Sequence, residues 1–172
     1  MSDSPSEMPA PGNPLAHYRR FESFREYEML FDDMVSKTET IIRVFDRKLS
    51  PSWNNASRIS LLRDFLSRNR MNQLMIVLHI SDNLERELPR LVEFAVYFGH
   101  AMKIRQTPAM GHHIYDPFIL FDASHYLHRF HHAHMRAAQG IHDMDCVQPL
   151  QERFAELWEV STAVPFGGIS GL

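Results

Sequence analysis

Between Gln73 and Ile80 the chain reads Gln-Leu-Met-Ile-Val-Leu-His-Ile, an almost unbroken apolar run. Its length suits one strand, and without polar alternation both faces of that strand must be covered. A strand of this kind belongs at the centre of a sheet with helices layered on either side. The remaining pattern is judged by whether it supplies those layers.

It does. Ser23-Phe24-Arg25-Glu26 is a capping box, a serine followed three residues later by glutamate. Phe24, Tyr27, Leu30, Phe31, Met34 and Val35 then keep the spacing of one helical face, so a helix is expected over 23–37. Residues 40–45 are short and β-branched, a strand. Ile59, Leu62, Phe65 and Leu66 mark a second helix; Leu88, Leu91, Val92, Ala95 and Phe98 mark a third, with Pro89 in its first turn. Residues 101–106 form another strand. Phe118 to Phe121 and Tyr126 to His131, joined by Asp122-Ala123-Ser124, read as a hairpin. Residues 140–145 read as loop, and Leu150, Phe154, Leu157 and Trp158 as a last helix. The expected order is α-β-α-β-α-β-β-β-α. It implies an α/β fold with a mostly parallel mixed sheet, helices on both faces, and a C-terminal hairpin plus helix. The domain is expected over 21–163, between a proline- and serine-rich tail at 1–20 and a glycine-rich tail at 164–172.

At 172 residues the chain can bury one substantial core. The net charge of −3 offers no electrostatic argument for nucleic acid, which would need a locally clustered basic face. No apolar run approaches the ~18 residues of a membrane span. The single cysteine, Cys146, excludes an internal disulfide and fits a cytoplasmic protein. Glycine-rich phosphate loops and GxSxG elbows are absent from the sequence.

Seven of the eleven histidines fall between Gly111 and Met135. Histidine is the commonest metal ligand, and zinc takes three or four ligands. If 125–132 is extended, however, His128 and His132 stand roughly 13 Å apart along the strand, too far to share an ion. A helical 128–135 would bring His128 to His132 or His131 to His134. There is no HExxH. Asp143 and Asp145 supply turn and cap oxygens more simply than ligands. A hydrogen-bonded or solvated cluster is expected, with no metal and no cofactor.

The segment "YDPFILFD", Tyr115 to Asp122, resembles in register the HxKxxxxD motif of the phospholipase D superfamily, in which an aspartate closes an apolar strand. Asp122 stands at the aspartate position, Pro117 at the lysine position and Tyr115 at the position of the nucleophilic histidine. The chain also resembles a bacterial domain family of unknown function related to that superfamily, in some members fused behind a GNAT-type acetyltransferase. "MIVLHISD" (75–82), "KIRQ" (103–106), "DPFILFD" (116–122) and "FAELWEVS" (154–161) carry that likeness.

The resemblance implies one phospholipase D-like half with a degenerate active site, because a phosphodiesterase of this type needs its histidine nucleophile and its lysine. Proline at the lysine position supplies neither charge nor donor. Shifting the register to His112 or His113 restores neither lysine nor aspartate. Tyr115, Asp122 and His113 would border the degenerate pocket, Arg105 would lend it charge, and His128 would complete a ligand site. No catalytic residue is assigned. The expected role is binding or self-association, as a homodimer or with a protein partner and without a membrane. The enzymatic alternative is a phosphoester hydrolase or nuclease rebuilt around His112, His113, His128 and Asp122, with or without a metal. It requires these side chains to converge.

Overall fold

The apolar run at the centre of the sequence lies at the centre of the sheet. The computed structural model describes residues 16–114, 116–131 and 133–166. Strand β3 (Gln73–Leu78) pairs in parallel with β2 (Ile41–Asp46) on one side and β4 (Met102–Gln106) on the other. Leu74, Ile76, Val77 and Leu78 are wholly buried. Helices α1 (Phe24–Lys37), α2 (Ala56–Arg68) and α4 (Pro89–Tyr97), with the single turn α3 (Leu84–Glu87), join the core on one face. Helix α5 (Met144–Val160) covers the other, its Val147, Leu150, Phe154 and Leu157 meeting Phe45, Val77, Phe118, Leu120 and Tyr126.

The capping box forms by half. Ser23 Oγ accepts the Glu26 N–H at 3.3 Å, while the Glu26 carboxylate pairs outward with Arg19. Pro89 opens α4 as expected. Helix α5 begins before the expected apolar stripe, because the Asp143 carboxylate accepts the Cys146 N–H at 3.1 Å and caps it.

The α/β class and the helices on both faces are as expected, but parallel pairing is confined to β2–β3–β4. Strands β5 (Phe118–Phe121), β6 (His125–Arg129), β7 (Ala137–Ile141) and β1 (His17–Phe21) continue the sheet antiparallel beyond β2, and the two-residue β8 (Thr162–Ala163) closes the other edge. The resulting order is β1-β7-β6-β5-β2-β3-β4-β8. The expected hairpin is the β5–β6 pair. Strand β1 begins in the stretch expected as tail and ends at Phe21, where the domain is expected to start, and the end of β7 lies within the expected loop. Both owe their form to cross-strand ladders: β1 is exposed at four of its five positions, and β7 (Ala-Ala-Gln-Gly-Ile) carries little strand propensity of its own.

Candidate functional site

Parallel strands open their C-terminal ends to loops, and α/β sheets bind ligands there. At this edge His79 follows β3, Thr107 follows β4, and a 3-10 turn (Ala109–His113) leads toward β5. His79 ties these pieces together. Its Nε2 lies 2.6 Å from the Ile114 carbonyl oxygen and its Nδ1 2.6 Å from Thr107 Oγ1. A carbonyl only accepts, so Nε2 carries the proton and Nδ1 accepts from the threonine hydroxyl. Burial pulls the His79 pKa below the usual histidine value; the Ile114 carbonyl opposes this, and positive charge on His112, Arg47 and His113 reinforces it. Neutral His79 is therefore a bracket fixing the segment that enters β5. Its ring packs on Phe45, with centroids 5.0 Å apart, and on His112, 4.5 Å apart.

Tyr115 lies outside the described residues. Pro117 is buried, and its carbonyl accepts the Arg129 N–H at 2.8 Å. His128 sits opposite Phe118 in the β5–β6 ladder, half-buried, with its ring edge-on to Phe118. Burial lowers the His128 pKa; Asp116 opposes and Arg153 reinforces the shift. The Nε2 atoms of His112 and His128 are both buried without a hydrogen-bond partner.

The other residues expected at a pocket lie elsewhere. Asp122 closes the opposite end of β5, about 17 Å from Pro117 at strand rise. Its backbone is left-handed, with φ 52°. Its carboxylate accepts from Glu39 N at 2.9 Å, Thr40 N at 2.8 Å, Thr40 Oγ1 at 2.8 Å and Ile41 N at 3.1 Å. Burial pushes its pKa up, but these bonds outweigh that and hold it below the usual carboxylate value. Asp122 is thus the clasp that starts β2. Arg105 is engaged by Ser161, donating to its Oγ at 2.9 Å and to its carbonyl, with the guanidinium 4.8 Å over the Trp158 ring. His113 is exposed, its Nδ1 2.8 Å from the Met110 carbonyl. The geometry brings His79, His112 and Thr107 together, with His113 exposed in the same turn as His112, and it engages Asp122 and Arg105 elsewhere. Among the described residues no group of three or more His, Cys, Asp or Glu is arranged to hold a metal ion. His132 lies outside them.

Sequence reasoning passed over His79 and Thr107. The available signal was a histidine closing an apolar strand, where a buried polar ring must find partners. It also passed over Asp46 at the end of β2. Burial raises the Asp46 carboxyl to about 6, partly offset by Arg129 and by the Arg47 and Lys48 backbone N–H groups.

A model of the family described as Domain of unknown function (DUF7931) matches residues 25–165. The chain belongs to that family. Solved structures place the DUF7931 fold beside phospholipase D. Nuc, a phospholipase D family member from Salmonella typhimurium, is similar with a TM-score of 0.64 at 13% identity, over 87% of this chain and 98% of that one. NucT from Helicobacter pylori is similar with a TM-score of 0.60 at 8% identity, over 87% and 99%. Phosphatidylserine synthase from Haemophilus influenzae gives 0.61 at 8% identity, over 90% of this chain and 41% of that one. At these identities the likeness is one of fold. No curated protein matches the DUF7931 chain. No helix among its described residues is long and apolar enough to cross a membrane.

Proposed function

We propose that this DUF7931 domain is a catalytically degenerate phospholipase D-like half that works in the cytoplasm by binding or self-association, as a homodimer or with a protein partner. The observation that carries this reading is the entry to β5. Where the superfamily motif requires a lysine there is Pro117, and its carbonyl is occupied by Arg129. No other lysine takes its place. Lys37 pairs with Asp33, Lys48 pairs with Glu87, and Lys103 donates to the Gly99 carbonyl. Of the histidines at this edge, His79 has both ring nitrogens in hydrogen bonds, and its Nδ1 lone pair is taken up by the Thr107 hydroxyl, away from any attack on phosphorus. Asp122, at the motif aspartate position, closes β5 and clasps the start of β2, at the far end of the strand from Pro117.

The decisive assay follows bis(p-nitrophenyl) phosphate and a labelled oligonucleotide with purified protein. No turnover above buffer is expected. Turnover that survives chelation and disappears on His79→Gln or His112→Ala would overturn the reading. The rebuilt-site alternative has one observation in its favour, the two unpartnered Nε2 atoms of His112 and His128. Elemental analysis of tag-free protein tests it: one stoichiometric metal, lost on His128→Ala, would favour the alternative.

A further inference from the structure

Helices α2 and α4 lie against each other on the same face of the sheet. A groove of about 590 Å³ stays open between them. Its walls follow from helical spacing. Helix α2 buries Ile59, Leu62, Phe65 and Leu66, which leaves Ser60, Arg63 and Ser67 as an exposed row three and four residues apart. Helix α4 buries Leu91, Val92, Phe94 and Ala95, which leaves Glu93, Val96 and Tyr97 outward. Apart from Val96, these exposed residues all line the groove. Phe94 and Phe98 form its floor, and as members of the core they are already covered. What stands open is the rim.

The rim is unfinished in two respects. Tyr97 is 76% exposed and Val96 58% exposed. The Tyr97 ring meets only the edge of Phe98 among the described residues, with centroids 4.9 Å apart. The charges are unmatched as well. The Arg63 guanidinium leans toward α4, 6.0 Å from the Phe94 ring, and Glu93 lines the same groove. Among the described residues neither forms an ion pair, with the other or with any third group. Arg90, the remaining charge of the lining, donates to the Asn54 carbonyl at 3.2 Å.

A groove that carries both signs favours neither a polyanion nor a polycation. An acid and a base that share it without meeting suit a partner presenting the same two groups in reverse order. A second copy does this through a two-fold axis, because in an isologous contact whatever Arg63 meets must also be met by the Arg63 of the other copy. Arg63 then faces the other copy's Glu93, and Glu93 its Arg63. Exposed tyrosine and arginine are also the side chains that most often anchor protein interfaces. We infer, on the self-association reading above, that two copies of this chain pair through the α2–α4 groove, with Tyr97 of each entering the groove of the other and an Arg63–Glu93 pair on either side of the axis. This surface is the helical face of the sheet and not the strand edge that holds His79. Helices of 13 and 9 residues span only about 20 and 14 Å, so the interface is small and the dimer weak, on the order of micromolar.

Sedimentation velocity on the full chain across the micromolar range tests this. The mass is expected to rise from monomer to dimer with concentration. Arg63→Glu and Glu93→Arg, both on exposed side chains, each set like charges face to face twice and are expected to weaken pairing at least about tenfold with unchanged melting temperature. Tyr97→Ser is expected to weaken it similarly. An equimolar mixture of the two charge variants is expected to form a dimer that neither forms alone, and the double variant Arg63→Glu/Glu93→Arg to recover self-pairing. Two misfolded chains would not rescue each other. Wild-type pairing in both charge variants would overturn this surface while leaving self-association standing. So would loss in both with no recovery in the mixture or in the double variant. A wild-type chain that stays monomeric throughout would remove the surface and the self-association reading together.

Discussion

Asp122 illustrates how one side chain can be kept for its backbone work. It occupies a left-handed turn, which Asp tolerates better than most residues, and it satisfies three consecutive N–H groups at the start of β2. Asp122→Ala leaves those donors without their acceptor and forces alanine to φ 52°; a loss of about 2–4 kcal/mol is expected, read by urea denaturation. Asp122→Asn keeps the turn and one acceptor, and is expected to cost about half as much. Asp46 shows the opposite situation. Its carboxyl is pushed up to about 6, so between its ordinary value and pH 6 the folded state holds a proton that the unfolded state has released. Its charged form is a burden at neutral pH. Asp46→Asn is expected to raise stability at pH 7 by about 1–2 kcal/mol and to have no such effect at pH 3.5. A loss at both pH values would mean that its bond to the Arg47 N–H, at 2.7 Å, outweighs the burial.

Strand β7 depends on a glycine for contact and not for backbone freedom. A Cβ at Gly140 would lie 2.0 Å from Tyr126 Cε1 and 2.5 Å from Cζ, inside the ring that seals this part of the sheet. Gly140→Ala is expected to destabilise by about 1–3 kcal/mol, as overpacked sites do. Neighbouring substitutions couple when they share the offending contact. Combined with Tyr126→Leu, most of the Gly140→Ala penalty is therefore expected to vanish in a double-mutant cycle. Strictly additive losses would show that the ring can move aside. The histidine-rich stretch resolves at the same scale. His112 belongs to the turn held by His79, His125 and His128 to β6, and His131 and His134 to the connection between β6 and β7, their rings 5.4 Å apart. One run of sequence thus serves three separate elements.

Across the whole molecule, acid stability is set by opposing groups. His79, His125 and His128 all have pKa values lowered first by burial. Their contribution is complete above the unfolded histidine value near 6.5 and is lost as pH falls through the folded values. Asp122 acts in the same direction at lower pH, above and through its depressed value, while Asp46 opposes both below about 6. The urea midpoint is expected to fall between pH 7 and pH 5, and replacing His125 and His128 by Gln is expected to flatten that fall. A midpoint that rises on acidification would mean that Asp46 dominates. The homodimer reading belongs to this scale as well. Light scattering at tens of micromolar is expected to give twice the chain mass, and a monomer there would remove self-association from the proposed role.

The sequence by itself determined the layered core. The apolar run of β3, the capping box and stripe of α1, Pro89 at the head of α4 and the β5–β6 hairpin are written in local spacing, because periodicity and turn chemistry act over a few residues. Only the tertiary structure decided the antiparallel half of the sheet. Strands β1, β7 and β8 carry weak propensity and exist because distant partners offer them hydrogen bonds. The site divided in the same way. Pro117 and Asp122 could be placed on the two ends of an apolar strand from their numbers alone. That His79 would bracket Thr107 to Ile114, that Arg105 would be drawn to Ser161 and Trp158, and that the Arg20 guanidinium would reach the Phe130 ring could not be. Those relations join residues 28 to more than 100 positions apart in sequence, and a spacing pattern has no term for such contacts until the chain has folded.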